Sequence, residues 1–192
     1  MNILSSLLFA VSANADNFVV GLSYGIKKIK IGVVSNLLIS FISVSGTALS
    51  MLLSRFIVGP IPENISSFLG SIMLILIGVW TVVKPFVKKV RSVGILDHPE
   101  IADRDNSSTI EAKESIALAL ALTLNNVGLG IGASITGLNI VVTSIFTFAF
   151  SLLMIVGGYF LGSHYLSKAF NKRATVISGL LIIVLGLNVF LT

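Results

Sequence analysis

The sequence has no cysteine and two histidines, and only 11% of its 192 residues are charged. Without cysteine there are no disulfides, thiolate metal sites or thiol redox chemistry. Soluble domains carry about 25% charged residues, so the shortage of charge excludes that class. The period-2 alternation of barrel strands is missing as well. No GxxxxGK[ST] loop is present to power an ATPase module, and no apolar run holds a nucleophile beside a histidine base, which argues against an enzyme.

What remains is 55% hydrophobic, with a mean hydropathy of +1.01. Six long apolar runs stand out: Ile3–Tyr24, Ile31–Leu53, Ser66–Val83, Ser115–Ser134, Ile140–Leu161 and Ala174–Leu191. A helix of roughly 20 apolar residues crosses about 30 Å of hydrocarbon. Only helices and closed barrels satisfy their backbone groups in lipid. The expected fold class is an all-α membrane protein with six transmembrane helices. Trp80 and Tyr24, near span ends, are expected at the interface.

A pI near 9.7 suggests a nucleic-acid partner until the basic residues are located. Lys27, Lys28 and Lys30 follow the first run. Lys84, Lys88, Lys89, Arg91, Arg104 and Lys113 lie between the third and fourth, and Lys168, Lys172 and Arg173 between the fifth and sixth. Arg55 alone falls in an even-numbered loop. Basic residues in short loops stay cytoplasmic. The expected protein is therefore multi-pass in the cell membrane, with both termini outside, loops 1–2, 3–4 and 5–6 cytoplasmic, lipids as partners and no nucleic acid. The first run lacks a basic segment before it and reads as a retained span, not a signal peptide.

The spans divide three and three around the polar segment Lys84 to Glu114. Sliding the second half by 109 residues lays "DNFVVG" (Asp16–Gly21) over "NNVGLG" (Asn125–Gly130), and Gly70 over Gly179. Gly78 meets Gly186 after a one-residue slip. A repeat with an odd number of spans inserts its second copy upside down, as in secondary transporters whose sites lie at mid-membrane between halves. The organisation expected is a first three-helix repeat (residues 1–86), a cytoplasmic linker (87–113) and a second, inverted three-helix repeat (114–192). Its pseudo-two-fold axis would bring the first and fourth helices together at the depth of Asp16 and Asn125.

Positions four apart share a helix face. Ser5, Ser12, Asp16 and Ser23 form one stripe of the first helix, and Asn14, Asn17, Gly21 and Gly25 another. On the fourth, Thr123, Asn126, Gly130 and Ser134 line one face, and Asn125, Gly128 and Gly132 another. Amides and small residues serve as packing glue between membrane helices. Asp16 needs more, because an acid at mid-membrane costs about 2.5–3.5 kcal/mol on insertion scales. With no basic residue in any span to pair with it, it is protonated, hydrogen-bonded to neighbouring amides, or bound to a cation. The candidate ion-binding set is Asp16, Asn17, Asn14, Asn125, Asn126, Ser12 and Thr123, an oxygen-rich set suited to Mg²⁺, Ca²⁺ or Mn²⁺.

The motifs "SANADNFVVGLSYGIKKIKI" and "ALALTLNNVGLGIGAS" resemble the MntP-like family of manganese efflux pumps, and within it the YtaF branch of sporulation membrane proteins. The resemblance covers essentially the whole chain and implies Mn²⁺ as an exported substrate. In the pumps each motif carries an Asp taken to matter for export. Asp16 matches the first, whereas Asn125 stands at the second.

A second metal hypothesis concerns "DRDNSSTIEAKE", Asp103 to Glu114, which follows the ligand spacing of an EF-hand calcium loop. Asp103, Asp105 and Ser107 would supply positions 1, 3 and 5, Thr109 its carbonyl, Glu111 the ninth position and Glu114 the closing bidentate ligand. Ser108 replaces the usual glycine, and Ile110 takes the core-facing eighth position. Ca²⁺ is the expected ion here; a solvated acidic turn leading into a helix is the plainer alternative.

Overall fold

The computed structural model describes residues 3–58, 62–83, 86 and 99–165, with 176, 180, 183, 184, 187 and 190 of the last apolar run. The side chains of 57, 58, 63, 64, 66, 67, 99, 100, 125 and 165 lie outside the description. Helices run over α1 (Ile3–Ala13), α2 (Ala15–Lys27), α3 (Val33–Val58), α4 (Glu63–Val83), α5 (Ala112–Ile135) and α6 (Ile140–Tyr165). The described residues of the last run are helical too, and Phe190 stacks at 5.8 Å on Phe68 of α4. The first part of the linker, 87–98, lies outside the described residues.

Ile3–Lys27, Val33–Phe56 and Ile140–His164 are long and apolar enough to cross a membrane, and α5 joins them as one span bent by 42° at Asn125. Burial agrees with lipid as the solvent. Phe41, Leu53, Phe56, Leu124, Ile145 and Leu153 stand exposed, while Ser40, Ser43, Thr47, Ser115, Thr143, Thr147 and Ser151 are buried. A soluble protein orders these classes the other way. The protein is a membrane protein.

The first span is α1 and α2 together, broken at Asn14 (φ −102°, ψ 13°). The Asn14 side-chain amide donates to the Ala10 carbonyl at 2.7 Å, while its backbone N–H reaches the same oxygen at 3.2 Å. A side chain competing for the i−4 carbonyl is a recognised source of helix bends. Lys28 ends α2 in the left-handed region (φ 59°), its N–H returning to Gly25. The chain then forms a two-residue strand, β1 (Lys30–Ile31). It pairs in parallel with β2 (Thr109–Ile110), in register Lys30 with Thr109 and Ile31 with Ile110.

The chief partner of α2 is α6, that of α5 is α3, and α4 packs on α5. The first span therefore pairs with the fifth and the fourth with the second. Among the described residues the first and fourth spans, expected together from the repeat, meet in two shared apolar clusters. Glycine makes the α2–α6 approach, since a Cβ at Gly21 would collide with the Ile155 carbonyl oxygen, and one at Gly158 with that of Phe18.

One cluster gathers Val20, Tyr24, Ile39, Leu118, Leu122 and Ile155, with Ile110 of the linker. The other gathers Phe9, Ala13, Met51, Leu74, Leu129 and Ala133. Ile39 and Ile155 share the first, whereas Met51 and Ile140 share the second, so α3 and α6 run antiparallel. Tyr24, expected at the interface, is fully buried in the first cluster because Gly25 draws its turn onto α6; Trp80 is exposed.

Candidate functional site

Each of the four central spans turns polar between the two clusters. On the first span Asn14 and Asn17 lie between Ala13 and Val20. On α3, Ser40, Ser43 and Thr47 lie between Ile39 and Met51, and on α5 Asn126 lies between Leu122 and Leu129. On α6, Thr147 and Ser151 lie between Ile140 and Ile155. The result is a polar layer closed on both sides by apolar side chains.

Two amides organise this layer, both fully buried. Asn17 Nδ2 donates to Asn14 Oδ1 at 2.9 Å and to Ser151 Oγ on α6 at 2.8 Å. Asn126 Nδ2 donates to Ser43 Oγ on α3 at 3.3 Å. In both residues the side-chain oxygen has no hydrogen-bond partner among the described residues. A buried acceptor left unpaired costs about 1–3 kcal/mol. Other buried oxygens without a partner lie nearby in the chain: Asn36 Oδ1, Ser40 Oγ and Thr147 Oγ1. The Asn36 amide reaches the Leu152 carbonyl at 3.4 Å, so antiparallel register puts Ser40, one turn on, level with Thr147 and Phe148. The layer thus runs from Asn17 through the α3–α6 seam to Asn126.

Asp16 is half-buried in the first turn of α2, and its Oδ1 accepts the Asn17 backbone N–H at 2.8 Å. Its residue falls near the middle of the 25-residue stretch Ile3–Lys27. Ser12 is buried on the same span. Asn14 has both ends of its amide engaged, by Ala10 and Asn17, which makes it a brace for Asn17. The Thr123 hydroxyl is turned back onto the Ala119 carbonyl of its own helix at 2.7 Å. The side chain of Asn125 lies outside the described residues.

Sequence reasoning missed Ser43 and Ser151. Their signal was present: Asn36, Ser40, Ser43, Thr47, Ser50 and Ser54 recur at steps of four and three along α3. At 1.5 Å per residue this stripe is about 27 Å long. Thr143, Thr147 and Ser151 recur at steps of four on α6. The spacing of the partners can be set beside the sequence offset. Asn17 and Asn126 are 109 apart, and Ser43 and Ser151 are 108 apart, the same one-residue slip that relates Gly78 to Gly186.

The family described as "Putative manganese efflux pump" matches residues 96–190. The "Probable sporulation protein YtaF" of Bacillus subtilis (strain 168) is 34% identical over 208 aligned positions, covering 97% of this chain and 99% of that one. The chain belongs to the MntP-like family, in its YtaF branch. No solved structure matches it. The match to residues 96–190 takes in α5 and α6 of this YtaF-type chain, and with them Asn126, Thr147 and Ser151.

In the linker, one oxygen each of Asp103, Asp105 and Glu114 lie within 4.8 Å of one another. Backbone amides hold them: Ser107 N–H donates to Asp103 and Asp105, Ser108 N–H to Asp103, and Arg104 and Glu111 N–H to Glu114. Ser108, at the position glycine usually takes, adopts φ 59°, and Ile110 is buried as such loops require. The Ser107 hydroxyl donates to the Thr109 carbonyl at 2.9 Å. Glu111 caps α5 in a reciprocal capping box with Glu114 and stays outside the carboxylate cluster. The Ser107 N–H, then its hydroxyl, hold the Asp105 carboxyl below its ordinary value, with desolvation opposing. A depressed pKa stabilises the fold above the ordinary carboxylate range, and this contribution fades as pH falls through the lowered value.

Proposed function

We propose that this protein transports a divalent cation, with Mn²⁺ its substrate and export its direction, through the polar layer between α2, α3, α5 and α6. The observation that carries this reading is the pair Asn17 and Asn126, both buried, both turned by a serine on a partner helix, and both presenting an unpartnered oxygen. A cation is the partner such oxygens lack. Asp16 would supply the charge, with Asn125 and Ser12 as neutral neighbours and Thr123 at the edge. One carboxylate with several neutral oxygens is a hard-ligand set, as Mn²⁺ accepts.

The reciprocal Asn–Ser pairs and the 109-residue offset support two inverted three-helix halves, and the basic loops, as cytoplasmic ones, support both termini outside. The apolar clusters on either side of the layer suit alternating access, one cluster parting while the other stays shut. Such a protein is a transporter and not an enzyme, driven by an ion gradient or the membrane potential.

Proteoliposomes containing the full chain are expected to take up Mn²⁺ along an imposed gradient, above the rate of empty vesicles. Equal rates with intact protein would refute Mn²⁺ transport and favour a non-transporting protein that acts through partners, with the sporulation role that the relative's name carries.

A second reading concerns the linker, where the three clustered carboxylates and the left-handed Ser108 favour a structural Ca²⁺ held by Asp103, Asp105, Glu114 and the Thr109 carbonyl. Because Ile110 joins the apolar cluster around Tyr24, a bound ion would steady that end of the bundle. Ca²⁺ is expected to raise the melting temperature of the wild type and not of Asp103→Asn/Asp105→Asn. An identical response from both proteins would exclude it.

A further inference from the structure

A chain of hydrogen bonds determines which end of the Asn17 amide faces the layer. The Ala10 carbonyl can only accept, so Asn14 must present its Nδ2 there, at 2.7 Å. That turns Asn14 Oδ1 toward Asn17, whose Nδ2 supplies the donor at 2.9 Å. The second N–H of Asn17 Nδ2 goes to Ser151 Oγ at 2.8 Å, across the α2–α6 interface. Both donors are then spent, and Oδ1 is left buried without a partner. Across the layer a serine on the neighbouring helix plays the same part, as Ser43 Oγ takes Asn126 Nδ2 and leaves Asn126 Oδ1 unpartnered.

Ser43 and Ser151 lie on helices outside the two polar motifs. Nevertheless each accepts from an amide on the opposite half of the chain, Ser151 from Asn17 and Ser43 from Asn126. We infer that Ser151 and Ser43 are the positioning residues of the cation site, holding the carbonyl oxygens of Asn17 and Asn126 toward a divalent cation. The inference rests on the cation-site reading of those two asparagines. Without Ser43 the Asn126 amide can rotate and present N–H groups to the ion, which repel it; without Ser151 the Asn17 amide keeps its bond to Asn14 but loses its second anchor, so its oxygen is held less firmly toward the ion. Outer partners that orient metal ligands typically carry about 10–100-fold in affinity or activity.

The test compares wild type, Ser151→Ala, Ser43→Ala, Ser151→Thr and Ser43→Thr in proteoliposomes, with Mn²⁺ as the probe. Initial rates give KM and the maximal rate, and direct Mn²⁺ binding is measured on the detergent-purified chains. The alanine variants are expected to raise KM and the dissociation constant about tenfold or more, with the maximal rate changed far less. Threonine, which keeps the hydroxyl, is expected to restore both. Ser50→Ala serves as the control, because the Ser50 hydroxyl donates to the Thr47 carbonyl of its own helix at 2.8 Å; it should leave KM unchanged.

Folded alanine variants with wild-type KM would overturn the inference and leave the transport reading standing. Wild type that neither binds nor moves Mn²⁺ would overturn both. Should an alanine variant fail to fold, Ser151→Cys or Ser43→Cys, near in shape but a poor acceptor, takes its place and is read against the same outcomes.

Discussion

Asp16→Asn is expected to reduce Mn²⁺ binding and transport by about a hundredfold or more, close to 2.8 kcal/mol at about 1.4 kcal/mol per tenfold change. Asp16 is the one carboxylate in the polar motifs; its counterpart at the matching position is Asn125. Divalent-ion affinity depends steeply on how many charged ligands a site offers, and here removing one removes all of them. The substitution keeps the shape, and its amide oxygen can still accept the Asn17 N–H that Asp16 takes at 2.8 Å. It also lowers the cost of inserting the first span, so the variant should be at least as well folded as the wild type. Loss of flux would then report on the site. A folded Asp16→Asn protein with unchanged Mn²⁺ flux would show that the carboxylate is no ligand.

The second large effect concerns the α2–α6 interface. Gly158→Ala would drive a methyl group into the Phe18 carbonyl oxygen, with Leu22 N at 2.8 Å and Gly21 C at 3.2 Å. These are backbone atoms and cannot rotate aside, so the helices must separate. Overpacking of this kind typically costs about 1–3 kcal/mol. It would also stretch the 2.8 Å bond between Asn17 and Ser151 on the same pair of helices. Next door, a Cβ on Gly157 would meet nothing within 4 Å. Gly157→Ala should be neutral or stabilising, since alanine is favoured over glycine inside a helix by about 0.5–1 kcal/mol. Thermal unfolding in one detergent should separate the two neighbours by several degrees, with Gly158→Ala the lower. Equal melting temperatures would mean that α2 and α6 do not touch as described.

Sequence alone was enough for the elements that depend on local composition. The apolar runs located α2 to α6 within a few residues, because a lipid-spanning helix advertises itself by length and hydropathy. The helices extend further than the runs, α3 to Val58 and α6 to Tyr165, since polar residues at helix ends reach the interface without ending the helix. The polar motif of the first span was legible because a charge and two amides are conspicuous among apolar neighbours. Of the two stripes, Asn14, Asn17, Gly21 and Gly25 are all buried, whereas Ser5, Asp16 and Ser23 of the other are half-buried and its Ser12 is buried.

The serines were a different matter. Ser43 and Ser151 are common, small and uncharged, and hydroxyls in membrane helices routinely bond to their own backbone, as Thr47, Ser50 and Thr123 do. Spacing along one chain cannot distinguish a hydroxyl bonded to its own helix from one bonded across to a neighbour. The sequence by itself therefore determined the membrane class, the place of the polar motif within the first apolar run and the 109-residue spacing of the two motifs. Only the tertiary structure decided that the first span pairs with the fifth and the fourth with the second, because glycine and serine permit close approach without naming the partner helix. That choice of partner sets the direction in which the Asn17 and Asn126 oxygens face.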